Sequence, residues 1–150
     1  MRRTSVKKGD YDKAIADYTR GIEINPLDTV AYVNRGIAWA IKGTCVWLFS
    51  KEYYDRAIAD HTRAIGINPK YAEAYYDRGA AYDKKGDCDR AIADYTRAIE
   101  VNPKYAEAYY YRGAVYNKRG DYEMGIPDWN MAVKLGFELA RKCFRPVDYK

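Results

Sequence analysis

The sequence contains little of what most metal centres and disulfide frameworks require. Its 150 residues include one histidine and three cysteines. Cys45, Cys88 and Cys143 are widely spaced, and no two of them form a Cys-x-x-Cys pair. This spacing fits neither a zinc site nor a set of paired disulfides, so we expect reduced thiols, no bound metal and no cofactor.

A long apolar segment is also lacking. Met1 is followed by Arg2, Arg3 and polar residues, so no signal peptide is visible here. The longest apolar run, Cys45–Phe49, is too short to cross a bilayer. The formal net charge of +5 is spread along the chain rather than gathered in one block. We therefore expect a soluble, cytoplasmic protein that does not bind membranes.

Internal repetition dominates what is present. The string Ile-Ala-Asp-(Tyr/His)-Thr-Arg begins at Ile15, Ile58 and Ile92, and a diverged copy begins at Ile126. The intervals are 58 − 15 = 43, 92 − 58 = 34 and 126 − 92 = 34, so the first interval carries nine extra residues. A second string, Tyr-x-x-Arg-Gly, recurs with the same spacing at Tyr32, Tyr75 and Tyr109. The chain is therefore predicted to be an array of similar units.

Each unit is predicted to contain two helices. In residues 72–105, Tyr75, Gly79 and Tyr82 recur with helical spacing, and Gly86-Asp87 is typical of a helix end followed by a helix start. The apolar stripe of the second helix consists of Ala91, Ile92, Tyr95, Ala98 and Ile99. Neither stripe can be buried by its own helix alone, so the units are expected to stack.

The pattern resembles the tetratricopeptide repeat, which is Trp-x2-Leu-Gly-x2-Tyr, Ala-x3-Phe and Pro with a period of 34 residues. Tyr75, Gly79, Tyr82, Ala91, Tyr95 and Pro103 follow it in order. The resemblance implies an all-α, right-handed α-solenoid of antiparallel helix pairs. It would comprise a half repeat at 9–28, a repeat at 29–71 with an insertion at about 44–52, repeats at 72–105 and 106–139, and a capping helix at about 137–145.

The chain departs from the family pattern by placing arginine at the usual leucine position. These arginines are Arg35, Arg78 and Arg112, and the second helices carry Asp17, Asp60, Asp94 and Asp128. A guanidinium on a packing face requires a carboxylate partner, since an unpaired buried charge is costly. We predict arginine–aspartate pairs, either within a unit or with the preceding one. The alternative is an arginine whose head group reaches solvent.

Three further segments leave alternatives open. The half repeat is expected to lack a first helix and to expose part of its stripe. Either this helix docks on a partner or a second copy, or the natural chain is longer upstream, or the helix is a frayed end. Pro127 is expected to kink the last second helix or to lie in a first turn that begins near Ile126. The insertion contains an apolar cluster that forms either a partner patch or extra core: Val46, Trp47, Leu48 and Phe49.

In the repeat family, the face of each first helix that is not used for packing lines a concave groove, where a peptide or helix binds. The resemblance therefore implies a binding groove formed by Val33, Asn34, Ile37, Glu73, Tyr76, Asp77, Asp83, Lys84, Glu107, Tyr110, Tyr111, Asn117 and Lys118. Some tetratricopeptide co-chaperones hold the acidic tail of a chaperone there with lysines and asparagines. Asn34 matches one such asparagine, but Val33 and Ile37 replace other ligands, so a basic or aromatic ligand suits the groove better.

We predict a non-enzymatic scaffold that binds a protein or peptide. The only histidine, His61, stands where sister copies carry Tyr18, Tyr95 and Trp129, which indicates packing rather than catalysis. Two alternatives remain. One is nucleic-acid binding through a basic ridge, and the other is self-association, giving a homo-oligomer, through the uncapped first helix. The ridge would consist of Lys13, Arg20, Arg56, Arg63, Arg90 and Arg97.

Overall fold

The computed structural model describes residues 10–45 and 50–143, except for the side chain of Cys143, and these residues form helices and no strands. The helices are α1 (Tyr11–Ile24), α2 (Thr29–Cys45), α3 (Ser50–Ile67), α4 (Ala72–Lys85), α5 (Cys88–Val101), α6 (Ala106–Arg119), α7 (Tyr122–Lys134) and α8 (Glu138–Cys143). Each helix packs on the next one along the chain. The predicted all-α solenoid is confirmed, with a half repeat (α1), three helix pairs and a short terminal helix.

The first helices of the three pairs form an inner layer. α2 contacts α4, and α4 contacts α6, although a second helix separates them in sequence. Alanines allow the close approach of helices within and between units. Ala57, Ala74, Ala91, Ala98 and Ala108 have no exposed surface. The inner layer is therefore held at a fixed spacing by small residues of both helix types.

Local chemistry explains where the helices end. Gly86 and Gly120 adopt left-handed φ angles of 84° and 96° just after α4 and α6, which glycine tolerates best. The Asn-Pro turns are closed by asparagine side chains. Asn68 Oδ1 accepts a hydrogen bond from the Lys70 amide at 3.1 Å, and Asn102 Oδ1 accepts one from the Lys104 amide at 3.1 Å.

A polar ladder joins successive units. In each unit, the arginine of the first helix donates two hydrogen bonds to the aspartate of the second, in the pairs Arg35–Asp60, Arg78–Asp94 and Arg112–Asp128. A third nitrogen donates to a threonine of the preceding second helix, at 3.1, 3.1 and 2.9 Å to Thr19, Thr62 and Thr96 respectively. The predicted pairing is confirmed within units, and the link to the preceding unit is a threonine rather than an aspartate.

Among the described residues, only α2 covers the half repeat. Ile15 and Ile22 of α1 are buried against α2. Ala14 and Tyr18 are only half-buried, whereas their counterparts Ala57 and His61 have no exposed surface. Asp17 is exposed, and no arginine among the described residues pairs with it, because α1 has no described first helix beside it. The expected partial exposure of the stripe is confirmed.

The insertion lengthens both helices of its unit. Compared with the next unit, α2 continues through Gly43 to Cys45, and α3 begins early, at Ser50. Gly43 therefore stays helical and buried, whereas the corresponding Gly86 ends its helix. The apolar cluster at 46–49 lies outside the described residues.

Pro127 lies inside α7, which begins at Tyr122. The expectation that this helix begins near Ile126 is therefore wrong. The helix starts early because Asp121 occupies the position of Asp87, one residue after a glycine that ends the preceding helix. After α7, Gly136 adopts a φ angle of 85°, and α8 then covers the end of the array with Ala140 buried.

Candidate functional site

A cavity of about 710 Å³ opens on the inner face of the array, between α1, α2, α3 and α4. Of the predicted groove residues, seven line it: Val33, Asn34, Ile37, Glu73, Tyr76, Asp77 and Lys84. Besides Tyr76, five more tyrosines line the cavity: Tyr11, Tyr18, Tyr54, Tyr71 and Tyr105. The cavity is therefore lined mainly by apolar and aromatic groups, with a few charges near its wall.

The cavity exists because one unit lacks three rings that the next unit has. In the next unit, Tyr76, Tyr95 and Tyr111 pack against one another, with ring centroids 5.7 to 6.5 Å apart. One repeat earlier, the corresponding positions hold Val33, His61 and Asp77. These side chains are smaller than tyrosine, so the groove is hollow at this unit and filled at the next. We call the cavity around Val33, His61 and Asp77 the hollow, and we call the three packed rings the tyrosine triad.

The wall of the hollow carries more negative than positive charge. Among the described lining residues, Lys84 is the only cationic side chain, against Glu73 and Asp77. The pKa of Tyr71 is raised, first by burial and then by the charges of Glu73 and Asp77. The pKa of Tyr105 is raised by burial and then by Asp77. Burial is the larger cause of each shift, and the carboxylate charges beside the rings add a smaller part.

His61 forms the floor of the hollow. Its side chain has no exposed surface, and neither ring nitrogen has a hydrogen-bond partner among the described residues. Burial, assisted by the charge of Arg78, lowers its pKa to about 3, so the imidazole is neutral at physiological pH. The ring lies against Gly36, where an added Cβ would stand 2.6 Å from His61 Cε1. The sequence predicted a packed histidine but gave no sign that it lies beneath a cavity.

The remaining predicted groove residues lie outside the hollow. Asp83 and Lys118 form an ion pair at 2.9 Å. Tyr111 belongs to the tyrosine triad, and Tyr110 packs on Phe137 with ring centroids 5.1 Å apart. Glu107 and Asn117 also lie on α6, away from the cavity lining. The structure therefore brings together the predicted residues of α2 and those of α4 other than Asp83, but not those of α6.

The lining aromatic residues that come from outside the first helices were not predicted. Tyr71 and Tyr105 stand immediately before α4 and α6, and Tyr11 and Tyr18 come from α1. A signal was present, because Tyr71 and Tyr105 recur at the interval of 105 − 71 = 34 residues. Their role depends on the approach of neighbouring helices, which a single unit does not reveal.

The arginines of the predicted basic ridge are partly neutralised by local partners. Arg56 pairs with Glu52 at 2.7 Å, and Arg97 pairs with Glu100 at 2.6 Å. Arg90 lies 3.4 Å from Asp87. These pairs are exposed and weak. They reduce the net positive charge that a nucleic acid would meet along the second helices.

Two features are absent from the described residues. None of the helices in residues 10–45 and 50–143 is both long and apolar enough to span a bilayer. The same residues contain no cluster of three or more histidine, cysteine, aspartate or glutamate side chains that could hold a metal ion.

Sequence comparison identifies repeat models along most of the chain. Models described as "TPR repeat" match residues 48–86 and 83–120, and one described as "Tetratricopeptide repeat" matches residues 3–26. No curated protein sequence matches the chain.

Solved structures with the same fold include three informative examples. A thermophilic TPR protein of Thermus thermophilus is 20% identical with a TM-score of 0.83, covering 94% of this chain and 74% of that one. MamA (41-end) from Desulfovibrio magneticus RS-1 is 20% identical with a TM-score of 0.70, covering 85% and 67%. The first TPR of Spaghetti (RPAP3), bound to the HSP90 peptide SRMEEVD, is 30% identical with a TM-score of 0.65, covering 76% and 83%. The repeat models and these structures agree with the stacked helix pairs, and the chain belongs to the tetratricopeptide repeat family.

Proposed function

We propose that this chain is a non-enzymatic scaffold that binds a peptide or helix of a partner protein in its concave groove, with the hollow as the anchoring site. The observation that carries the proposal is the cavity itself. It is concave, mostly apolar and rimmed by a few charges, which is the usual character of a binding site. Its tyrosines supply large, rigid contact surfaces that lose little entropy on binding.

The relative that binds an HSP90 peptide supports the use of this fold for peptide binding. Its peptide, SRMEEVD, ends in acidic residues. In the present chain, Glu73 and Asp77 line the cavity and would repel such a tail. The proposed ligand therefore differs in charge from that peptide.

A selection from a random 12-residue peptide library displayed on phage, with the purified chain as bait, tests the proposal. Enriched peptides are expected to bind the wild-type chain and to lose most of their affinity for the triple variant Val33→Tyr/His61→Tyr/Asp77→Tyr. That variant copies the tyrosine triad of the next unit and so fills the hollow. Arg63→Tyr, which adds one ring at an exposed site on α3, is the control and should bind normally.

A second variant protects the test against misfolding of the first. Ile41 lines the cavity and is 37% exposed, so Ile41→Lys changes the groove without disturbing the core. Loss of peptide binding in this variant, with an unchanged circular dichroism spectrum, supports the groove. Equal binding by the wild type and both groove variants contradicts the proposal.

Self-association through α1 is a second candidate function, favoured by the open face of the half repeat. Lys13, Asp17 and Arg20 fall at helical spacing on one exposed stripe, followed by Ile24, which is 84% exposed. Two antiparallel copies of α1 would place Asp17 of one chain opposite Arg20 of the other, twice, as a two-fold interface requires. The proposed occupant of this face is therefore a second copy of the chain.

Sedimentation equilibrium distinguishes a dimer from a monomer. The wild type is expected to dimerise with increasing concentration, and Asp17→Arg should remain monomeric because it creates a row of like charges. Asp89→Arg, an exposed change on α5, is the control and should dimerise like the wild type. A wild-type chain that stays monomeric at high concentration rules this function out.

A further inference from the structure

The hollow has a chemistry that goes beyond a general peptide site. We infer that it takes a basic side chain, lysine or arginine, from the bound peptide, with the aliphatic stem against Val33 and Ile37 and the cationic head toward Asp77 and Glu73. This inference rests on the proposed function and specifies its ligand. It follows from four features of the described residues.

The first feature is the sequence difference that creates the hollow. Where the tyrosine triad has Tyr111, the hollow has Asp77. The substitution both removes a ring and adds a carboxylate at the same point of the groove. A neutral ligand would benefit from the added space alone, whereas a cation benefits from the space and the charge. The position therefore favours a cation over a neutral apolar group.

The second feature is the burial of Asp77, which carries the negative charge. Asp77 is half-buried in the wall of a mostly apolar cavity, whereas Lys84 is exposed at the rim. Coulomb interactions are stronger where water is excluded, so Asp77 has more influence on a buried head group than Lys84 has. The wall of the hollow therefore carries two carboxylates, Asp77 and Glu73, against the one cation of Lys84.

The third feature is the ring of tyrosines. Tyr71, Tyr76 and Tyr105 line the same cavity, and Tyr76 and Tyr105 pack with ring centroids 5.0 Å apart. Aromatic faces attract ammonium and guanidinium groups, and more strongly where the cation is desolvated. The chain already pairs arginine with aromatic rings, since Arg56 Cζ lies 4.7 Å from the ring centroid of Trp39.

The fourth feature is His61, the residue at the floor of the hollow. His61 is buried and neutral, so it places no positive charge beneath the ligand. Its small ring also leaves depth that a tyrosine would occupy, as Tyr95 does at the corresponding position of the next unit. A long side chain that ends in a cation can use this added depth. Because the next unit is filled, the site selects this side chain at one position of the peptide only.

The inference is tested with the same library, selected in parallel on the wild type and on Asp77→Asn. Peptides from the wild-type selection are expected to show lysine or arginine at one fixed position, and this preference should vanish with Asp77→Asn. Asp83→Asn is the matched control, because Asp83 lies on the same helix but pairs with Lys118 outside the hollow. The control should keep the preference.

A chemical substitution then isolates the charge. The best synthetic peptide is compared with a copy in which lysine becomes norleucine, or arginine becomes citrulline. We expect the neutral copy to bind the wild type at least tenfold more weakly and to bind Asp77→Asn about as well as the charged peptide does. The two versions separate an ammonium ligand from a guanidinium ligand.

The outcomes separate the two proposals. If peptides are enriched but share a neutral or acidic consensus, or if Asp77→Asn keeps the basic preference, the inference fails while the proposed function stands. If no peptide is enriched on the wild type, both fail.

Discussion

Arg78 and Asp94 face each other across the two helices of one unit and are joined by two parallel hydrogen bonds of 2.7 Å each, from Nε and Nη2. The third nitrogen, Nη1, donates to Thr62 of the preceding unit at 3.1 Å. The aspartate side chain is only 8% exposed. Hydrogen bonding to Asp94 raises the pKa of Arg78, so this guanidinium stays protonated.

Arg78→Leu, which restores the usual family residue, is expected to destabilise the chain despite adding an apolar group. It leaves Asp94 buried without its partner, and removing one member of a buried pair costs about 3 kcal/mol. The free energy of unfolding from urea titration measures the loss. Arg97→Leu, at an exposed pair with Glu100, is the control and should leave stability unchanged.

The double variant Arg78→Leu/Asp94→Leu should recover much of that loss, because no unpaired charge then remains. A double variant whose loss equals the sum of the two single losses would show that the two residues do not interact.

Gly36→Ala is expected to destabilise the chain by about 1–3 kcal/mol, the usual cost of overpacking. The added Cβ would lie 2.6 Å from Cε1 and 2.8 Å from Nε2 of the buried His61 ring. Gly21→Ala is the matched control. It lies in α1 with nothing within 4 Å of the added atom, and should stabilise by about 1 kcal/mol through helix propensity. Thermal denaturation followed by circular dichroism measures whether each variant is less or more stable than the wild type.

His61→Tyr should make the chain less sensitive to acid. The pKa of His61 is about 3 in the folded chain, below its value of roughly 6.5 when unfolded. The unfolded state therefore binds a proton that the folded state excludes, and stability is lost as the pH falls from about 6.5 towards 3. Between pH 7 and 4.5 the wild type should lose about 2–3 kcal/mol more than the variant.

Urea unfolding of both proteins at several pH values measures this difference, and carboxylates common to both cancel. Parallel stability profiles for the two proteins would show that His61 does not titrate as the structure implies.

Replacing each of two prolines with alanine should change the stability of the chain in opposite directions. Pro127 lies inside α7, where it removes a helix hydrogen bond, and its counterparts in the other second helices are Ala16, Ala59 and Ala93. Pro127→Ala should therefore stabilise the chain by about 1 kcal/mol or more. Pro103 lies in the turn between α5 and α6, where a fixed φ restricts the unfolded chain. Pro103→Ala should cost about 0.4–1 kcal/mol. Calorimetry measures both changes in stability, and two changes of the same sign would contradict this account.

The helices could be predicted from the sequence because the signals that end and start them are local. Gly86-Asp87 and Asn102-Pro103 each act within a few residues, and the period of 34 repeats them. The arginine–aspartate pairing could also be predicted, since a guanidinium on a packing face requires a carboxylate. Thr62 was part of the repeated string, but its role as acceptor for Arg78 depends on how two units stack.

The hollow could not be predicted, because it depends on three positions on three helices being small at once. Val33, His61 and Asp77 are far apart in sequence, and each alone is an ordinary substitution. Only the stacking of α2, α3 and α4 brings them to one point of the groove. The early start of α7 was missed for another reason. Pro127 suggested a boundary, whereas the turn at Asp121 determined it.

The threonine acceptors of the polar ladder also have a mechanical consequence. Thr19, Thr62 and Thr96 each accept a single hydrogen bond from the arginine of the next unit, whereas the bonds inside a unit are doubled and join two opposite charges. Under a pulling force applied at both ends, we expect the array to extend in steps, parting first at these single links while each helix pair stays closed. The array would then extend mainly at the interfaces between successive units, and each helix pair would keep its shape.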